Sequence, residues 1–255
     1  MAGATAGGTR RGIGGLARQA NPAFAAGAIA VPLLALGGAI ASGSSQAIVY
    51  VHVMAGILWT GTDLLLGSVL GPVLGRMDPE QRAGFLSGFT PKMVFLMPAL
   101  ATVTVGAGIH MAVTRGFPHV MPWLALMTAA TTVPVVVIIG YQFDALTDPR
   151  TLVVLAAAVV GSGAFLFSTL PEFGMASPWL VAALAIVTVL VVLGFGVILP
   201  GEVRVYRQLT SPDPDNDVIG DLAMRNARLG GIQGLMQLAV VFVMVGLRYG
   251  NAFGV

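Results

Sequence analysis

The chain has no cysteine. That excludes disulfides, thiolate metal sites, iron–sulfur clusters and haem attached through cysteine, and leaves His, Met, carboxylate or backbone oxygen to hold any metal. It is also poor in charge: Asp, Glu, Lys and Arg make up 9% of its 255 residues, against roughly 25% in soluble domains. With 56% hydrophobic residues and a mean hydropathy of +0.88, such a chain belongs in a bilayer. Its pI of about 9.4 does not point to nucleic acid, because the net charge is only +2 and the basic residues are dispersed. A Gly-rich phosphate loop with lysine, a GxSxG elbow and an HExxH helix are all missing, so readings as a nucleotide-driven pump or a hydrolase have no support. Asp213, Asp215 and Asp217 imitate the first ligands of a calcium loop, but Val218 replaces the turn glycine and Met224 the closing Glu.

What the chain does have is long apolar runs. They cover Ala23 to Ala41, Ala47 to about Gly75, Lys92 to about Thr114, Met121 to Phe143, Thr151 to Leu170, Pro178 to Leu199 and Leu229 to Tyr249. Each is long enough as a helix for a hydrocarbon core of about 30 Å, which predicts an all-α, polytopic transmembrane helical bundle of seven spans. Residues 1–20 read as a tail with Arg10, Arg11 and Arg18, and residues 21–255 as one transmembrane domain. Ala39-Ile40-Ala41 has the form of a signal-peptidase site, yet the run before it is long enough to span and is read as a retained first helix. Asp78, Pro79 and Gln81 have the pattern of a helix start, giving a short interfacial helix to about Gly88. Gly67, Gly71 and Gly75 make a ridge for close packing inside the bundle. Residues 202–228 form the longest polar connection, with SPDPDND before an amphipathic helix that continues into the last span, and are the natural docking place for a soluble partner.

The basic residues orient this threading, since cytoplasmic loops hold the excess of Lys and Arg. With the N-terminus cytoplasmic, all thirteen fall inside except Arg115 and Arg248. This predicts an integral protein of a prokaryotic cytoplasmic (inner) membrane, with the lipid bilayer as its first partner and no nucleic acid.

The polar chemistry is concentrated in VHVMAGILWTGTD, residues 51–63. Offsets of seven and eleven residues put His52, Trp59 and Asp63 on one helical stripe, with Asp63 about 16 Å from His52 at about 1.5 Å per residue. An ionisable group inside a membrane needs a partner or a function. Gln233, Gln237 or Lys92, at comparable depth in the threading, would satisfy Asp63 as a polar pair or proton relay. His52 and His110 fall about five and four residues below the outer ends of adjacent, oppositely directed spans, and so at similar depth. Small residues flank both, including Gly56 beside His52 and Gly106 before His110, which leaves room for a macrocycle. Two such imidazoles suit the axial positions of haem b. The bland alternative is that each hydrogen-bonds to a neighbouring carbonyl. His52-Val53-Met54, His110-Met111 and His119-Val120-Met121 offer imidazole and thioether for copper instead. However, Met54 lies about 200° round the helix from His52 at roughly 100° per residue, so the two cannot share a ligand.

VHVMAGILWTG resembles the signature helix of the family that includes the CopD-type copper-resistance membrane proteins and the HemJ-type protoporphyrinogen oxidases, in which a His precedes a Trp-x-Gly element. MPALATVTVGAGIHM is similar to the Pro-(small)-x-x-Thr-x-x-x-Gly helix of the same group. The resemblance covers about residues 47–114 and implies a haem- or copper-handling membrane protein, with His52 and Trp59 in the site. Thr60 departs from the pattern where a second glycine is frequent, and seven spans exceed the four of HemJ-type proteins, which argues against protoporphyrinogen oxidation. The expected function is therefore a membrane haem protein or haem-bearing subunit for electron transfer, with the haem near the outer face and an external redox partner or quinone. A copper permease and a cofactor-free structural subunit of a larger membrane complex are the alternatives. No reaction or substrate is legible, so enzymatic activity stays open.

Overall fold

The structure, a computed structural model, describes residues 12–250. Arg10, Arg11 and the start of the expected tail lie outside the described residues. The chain is all-α: among the described residues there is no strand, and seven helical runs are long and apolar enough to cross a membrane. They are α2 (Pro22–Ala41), α3 (Ser45–Leu65) continued through a π-helical segment (Leu66–Leu70) into α4 (Gly71–Leu74), α5 (Pro79–Thr114), α6 (Val120–Gln142), α7 (Pro149–Thr169), α8 (Pro178–Val191) continued through a second π segment (Val192–Ile198) into α9 (Leu199–Leu209), and α10 (Asn216–Tyr249). The protein is an integral membrane protein.

Helix starts are set by local chemistry. Ser44 accepts a bond from the Ala47 N–H, Asp148 one from Arg150, and Asn21 one from Ala23, each filling a donor that the first turn leaves unpaired. Pro22 and Pro149 occupy first-turn positions where a missing N–H costs nothing. Asp215, which looked like part of a calcium loop, is the cap of α10 and accepts from Asp217 and Val218.

Three expected boundaries are corrected. The tail is not all tail: Ile13–Ala20 forms a helix, α1, that buries Gly15, Leu16 and Ala20 and exposes its polar side. The interfacial helix does not stop near Gly88, because α5 runs unbroken for 36 residues through Pro91 and Pro98. Proline at 91 removes the N–H that would bond the Ser87 carbonyl, and the Gln19 side chain of α1 donates to that carbonyl at 2.9 Å. The sixth span does not end at Leu199: α9 carries it to Leu209, and six residues link it to α10, which begins at Asn216 and runs on into the last span as expected.

The chain forms two compact units, one comprising the residues up to Thr104 with Gly201–Gly231, the other Val105–Pro200 with the remainder from Ile232. In the first, Leu74, Leu86, Val205, Ile219, Leu222 and Ala223 form an apolar core. There Gly67 meets Gly231 of α10 so closely that a Cβ on Gly67 has no room, while Gly71 faces Ala227 and Gly75 faces Met224. The glycine ridge packs within the chain, against α10. In the second unit, Ala112, Val120, Leu124, Met127, Ala176 and Leu180 make the core.

Candidate functional site

The first unit carries the polar stripe of α3. Ile48, Ala55, Trp59 and Asp63 are buried and His52 is half-buried, whereas Val53, Met54, Ile57, Leu58 and Leu65 are exposed to lipid. The spacing of the buried set follows the helical period, so the stripe faces protein along its length.

His52 is held by α5. Its Nδ1 lies 2.8 Å from the Thr104 carbonyl, which can only accept, so Nδ1 carries a proton. One turn below, Gly56 brings the two helices together: a Cβ there would stand 3.4 Å from the Thr104 methyl. Between α3 and α5 at this level the small residue is used for close approach. His110 lies six residues beyond Thr104 on α5, about 9 Å further along and about 120° round the helix. Its imidazole is half-buried and makes no hydrogen bond among the described residues, and Gly106 beside it is half-buried too.

Asp63 is 3% exposed and its carboxylate stands against Gly230 of α10. Lys92 does not serve it, since that side chain is exposed and makes no ion pair among the described residues. Gln233 and Gln237 are buried, and with Asn226 and Gly230 they recur at offsets of four, three and four, forming one stripe of α10. At the start of that stripe Asn226 donates to the Glu202 carboxylate at 3.0 Å, and the fully buried Thr90 stands beside the same group. Glu202, Asn226 and Thr90 were not singled out in the sequence, because Glu202 and Asn226 lie in the polar connection 202–228 and Thr90 between the expected interfacial helix and the third span. The period shared by Asn226, Gly230, Gln233 and Gln237 was the available signal.

In the second unit, Gln233 packs over Gly194 of the π segment. Gln142 donates to the Gly196 carbonyl at 2.6 Å, which is the carbonyl four residues before Pro200 and so lacks its α-helical donor. His119, the third histidine, occupies a left-handed backbone conformation at the start of α6 and bonds the Glu172 carbonyl through Nδ1 at 2.8 Å. Trp123 donates to the neighbouring Gly174 carbonyl and packs on Phe173. This is a clasp between two connections, and it already engages the imidazole of the second HVM tripeptide. Met121 packs into the apolar core beside it. Among the described residues no three His, Asp or Glu side chains gather as a metal-binding group.

Comparison with protein-family models, with curated proteins and with solved structures finds no match.

Proposed function

We infer that the chain is an integral membrane haem protein, or the haem-bearing subunit of a membrane complex, with His52 as an axial ligand, working in electron transfer in a prokaryotic cytoplasmic membrane. The reading starts from the half-buried, oriented imidazole of His52, whose Nδ1 bond to the Thr104 carbonyl fits a ligand and fits equally the cofactor-free alternative. Histidines that ligate metals donate their other ring nitrogen to a carbonyl or carboxylate, which fixes the tautomer and the ring plane. The similarity of residues 47–114 to the CopD-type and HemJ-type group supports the same position. Bound haem supplies a one-electron iron couple; the chain supplies an oriented imidazole, an apolar span that excludes water, and a buried carboxylate on the same stripe as the imidazole. His110 is the second histidine this reading calls on. Copper is the weaker reading, because Met54 faces lipid and His119 is engaged in the clasp.

Protein from haem-replete cells, purified in mild detergent, should show a Soret band and, when reduced, sharp α and β bands of low-spin b haem. His52→Ala should abolish them. His110→Ala should convert the spectrum to high spin, and His119→Ala should leave it intact. A colourless wild-type protein would defeat the proposal, and metal analysis of that preparation would then decide between copper and a cofactor-free subunit.

A further inference from the structure

Thr90 departs from the habit of the other helical threonines. Thr104, Thr128, Thr131 and Thr188 each donate the hydroxyl to the carbonyl one turn before them, which satisfies it where no water reaches. Thr90 lies inside α5 with the same option and is fully buried, yet its Oγ1 completes no hydrogen bond among the described residues. It stands beside the Glu202 carboxyl group instead. That group is held from α10, where the Asn226 amide donates to Glu202 Oε1 at 3.0 Å. Asn226 is itself buried and wedged against Gly201, at which an added Cβ would collide with the amide. Glu202 has no ion pair among the described residues. The charged groups on the helices around it are Arg204 on α9 itself, Arg225 on α10, Lys92 on α5 and Arg18 on α1, the helix bonded to α5 through Gln19; none of them pairs with it. Asp63, the other acid buried in this unit, stands against Gly230, one turn along α10 from Asn226.

A carboxylate turned toward buried side chains, with no cation to meet it, is costly, and the acid form avoids that cost because it carries no charge. Both neighbours serve the acid form. A neutral carboxyl group has one oxygen that only accepts and one O–H that donates. The Asn226 N–H supplies the first, and Thr90 Oγ1, with its lone pairs unspent, accepts from the second. Glu202 is half-buried at the start of the polar end of α9, so water can supply and remove the proton. We propose that Glu202 is a proton-binding site, whose carboxyl group holds its proton between Asn226 and Thr90 and exchanges it with water. On release the proton goes to water and leaves a carboxylate, which water protonates again. The site requires no haem, since none of its three residues lies on the α3 stripe.

The test is infrared spectroscopy of the full chain in detergent, with Tm as a second readout. At neutral pH, wild type should show a carboxylic acid C=O band that moves down in D2O, disappears in Glu202→Gln and survives in Asp63→Asn. Thr90→Val keeps the shape and removes the hydroxyl, so it should shift that band up as the O–H loses its acceptor. Glu202→Gln copies the neutral acid. It should match wild type in Tm at slightly acid pH and exceed it at alkaline pH, because a group that is neutral in the folded protein contributes stability at low pH and loses it as rising pH removes the proton. A wild-type spectrum with no Glu202-dependent acid band at neutral pH overturns the site, and so does a Glu202→Gln variant less stable than wild type at every pH. A band that stays in place in D2O overturns the exchange with water, and an unshifted band in Thr90→Val overturns the placement of the proton at Thr90.

Discussion

The two units bury different kinds of polar group. The first contains carboxylates, the buried Asp63 and the half-buried Glu202, with the Asn226 amide and the Thr90 hydroxyl, and covers two nitrogens of the Arg225 guanidinium; the second contains the amides Gln233 and Gln237 and the covered Oε1 of Gln142. A charge buried without a partner costs several kcal/mol, whereas an amide costs far less and is satisfied by a carbonyl. The first unit holds a carboxylate where a donor stands against it, as Asn226 does against Glu202, and its helices come close. Gly67 on Gly231, and Gly201 under Asn226, are positions at which a Cβ has no room. The second unit also has tight positions, Gly140 against Leu146 and Gly246 against Trp179, but there the obstacle is a side chain, whereas at Gly67 it is the Gly231 backbone; on α7, Gly161 and Gly163 have nothing within 4 Å of an added Cβ.

The strongest way to break this comparison is to fill the close crossing. Gly231→Leu should cost more than the roughly 1–3 kcal/mol usual for overpacking, because the obstacle is backbone rather than a movable side chain. The expected result is loss of monodisperse protein in detergent. Gly163→Leu should leave elution and Tm within error of wild type. If both behave alike, the crossing does not hold the first unit together.

A smaller effect separates charge from amide. Asp63→Leu should destabilise by about 1–3 kcal/mol through the donors it leaves unpaired, and Asp63→Asn by less, since an amide keeps an acceptor and loses the charge. Thermal unfolding of the two variants checks the order. If Asn proves as damaging as Leu, the carboxylate charge itself, and not an acceptor alone, holds the site together.

Much of this architecture was legible beforehand, for identifiable reasons. Seven apolar runs give seven spans because the hydrocarbon core imposes a length, and the α3 stripe follows because the helical period fixes which residues share a face. Both are local rules. What escaped depends on partners far away in the chain. The stretch between Gly88 and Lys92 reads as a break, but the carbonyl that Pro91 strands there is covered by Gln19, 68 residues before Ser87. Glu202 reads as loop, but Asn226, 24 residues later, makes it part of a helix pair. His119 reads as a metal candidate until Glu172, 53 residues on, engages its ring. Nothing local to any of these residues encodes its partner.

The smallest expected effect tests a device common to both units: a glutamine amide placed on the carbonyl that a proline leaves without its helical donor. In the first unit the set is Gln19, Ser87 and Pro91, and in the second Gln142, Gly196 and Pro200. Gln19→Leu should cost about 0.5–1.5 kcal/mol, the net worth of one hydrogen bond. If the amide is there to replace the missing N–H, the cost must depend on the proline. Pro91→Ala restores an N–H that can bond the Ser87 carbonyl, so in that background Gln19→Leu should cost close to nothing, leaving a coupling of about 0.5–1.5 kcal/mol in a double-mutant cycle of thermal unfolding. The cycle cancels whatever cavity the loss of the buried proline ring creates, since that term enters both arms. An undiminished cost in the Pro91→Ala background would mean that Gln19 acts by anchoring α1 and that the unbroken course of α5 through Pro91 has another cause.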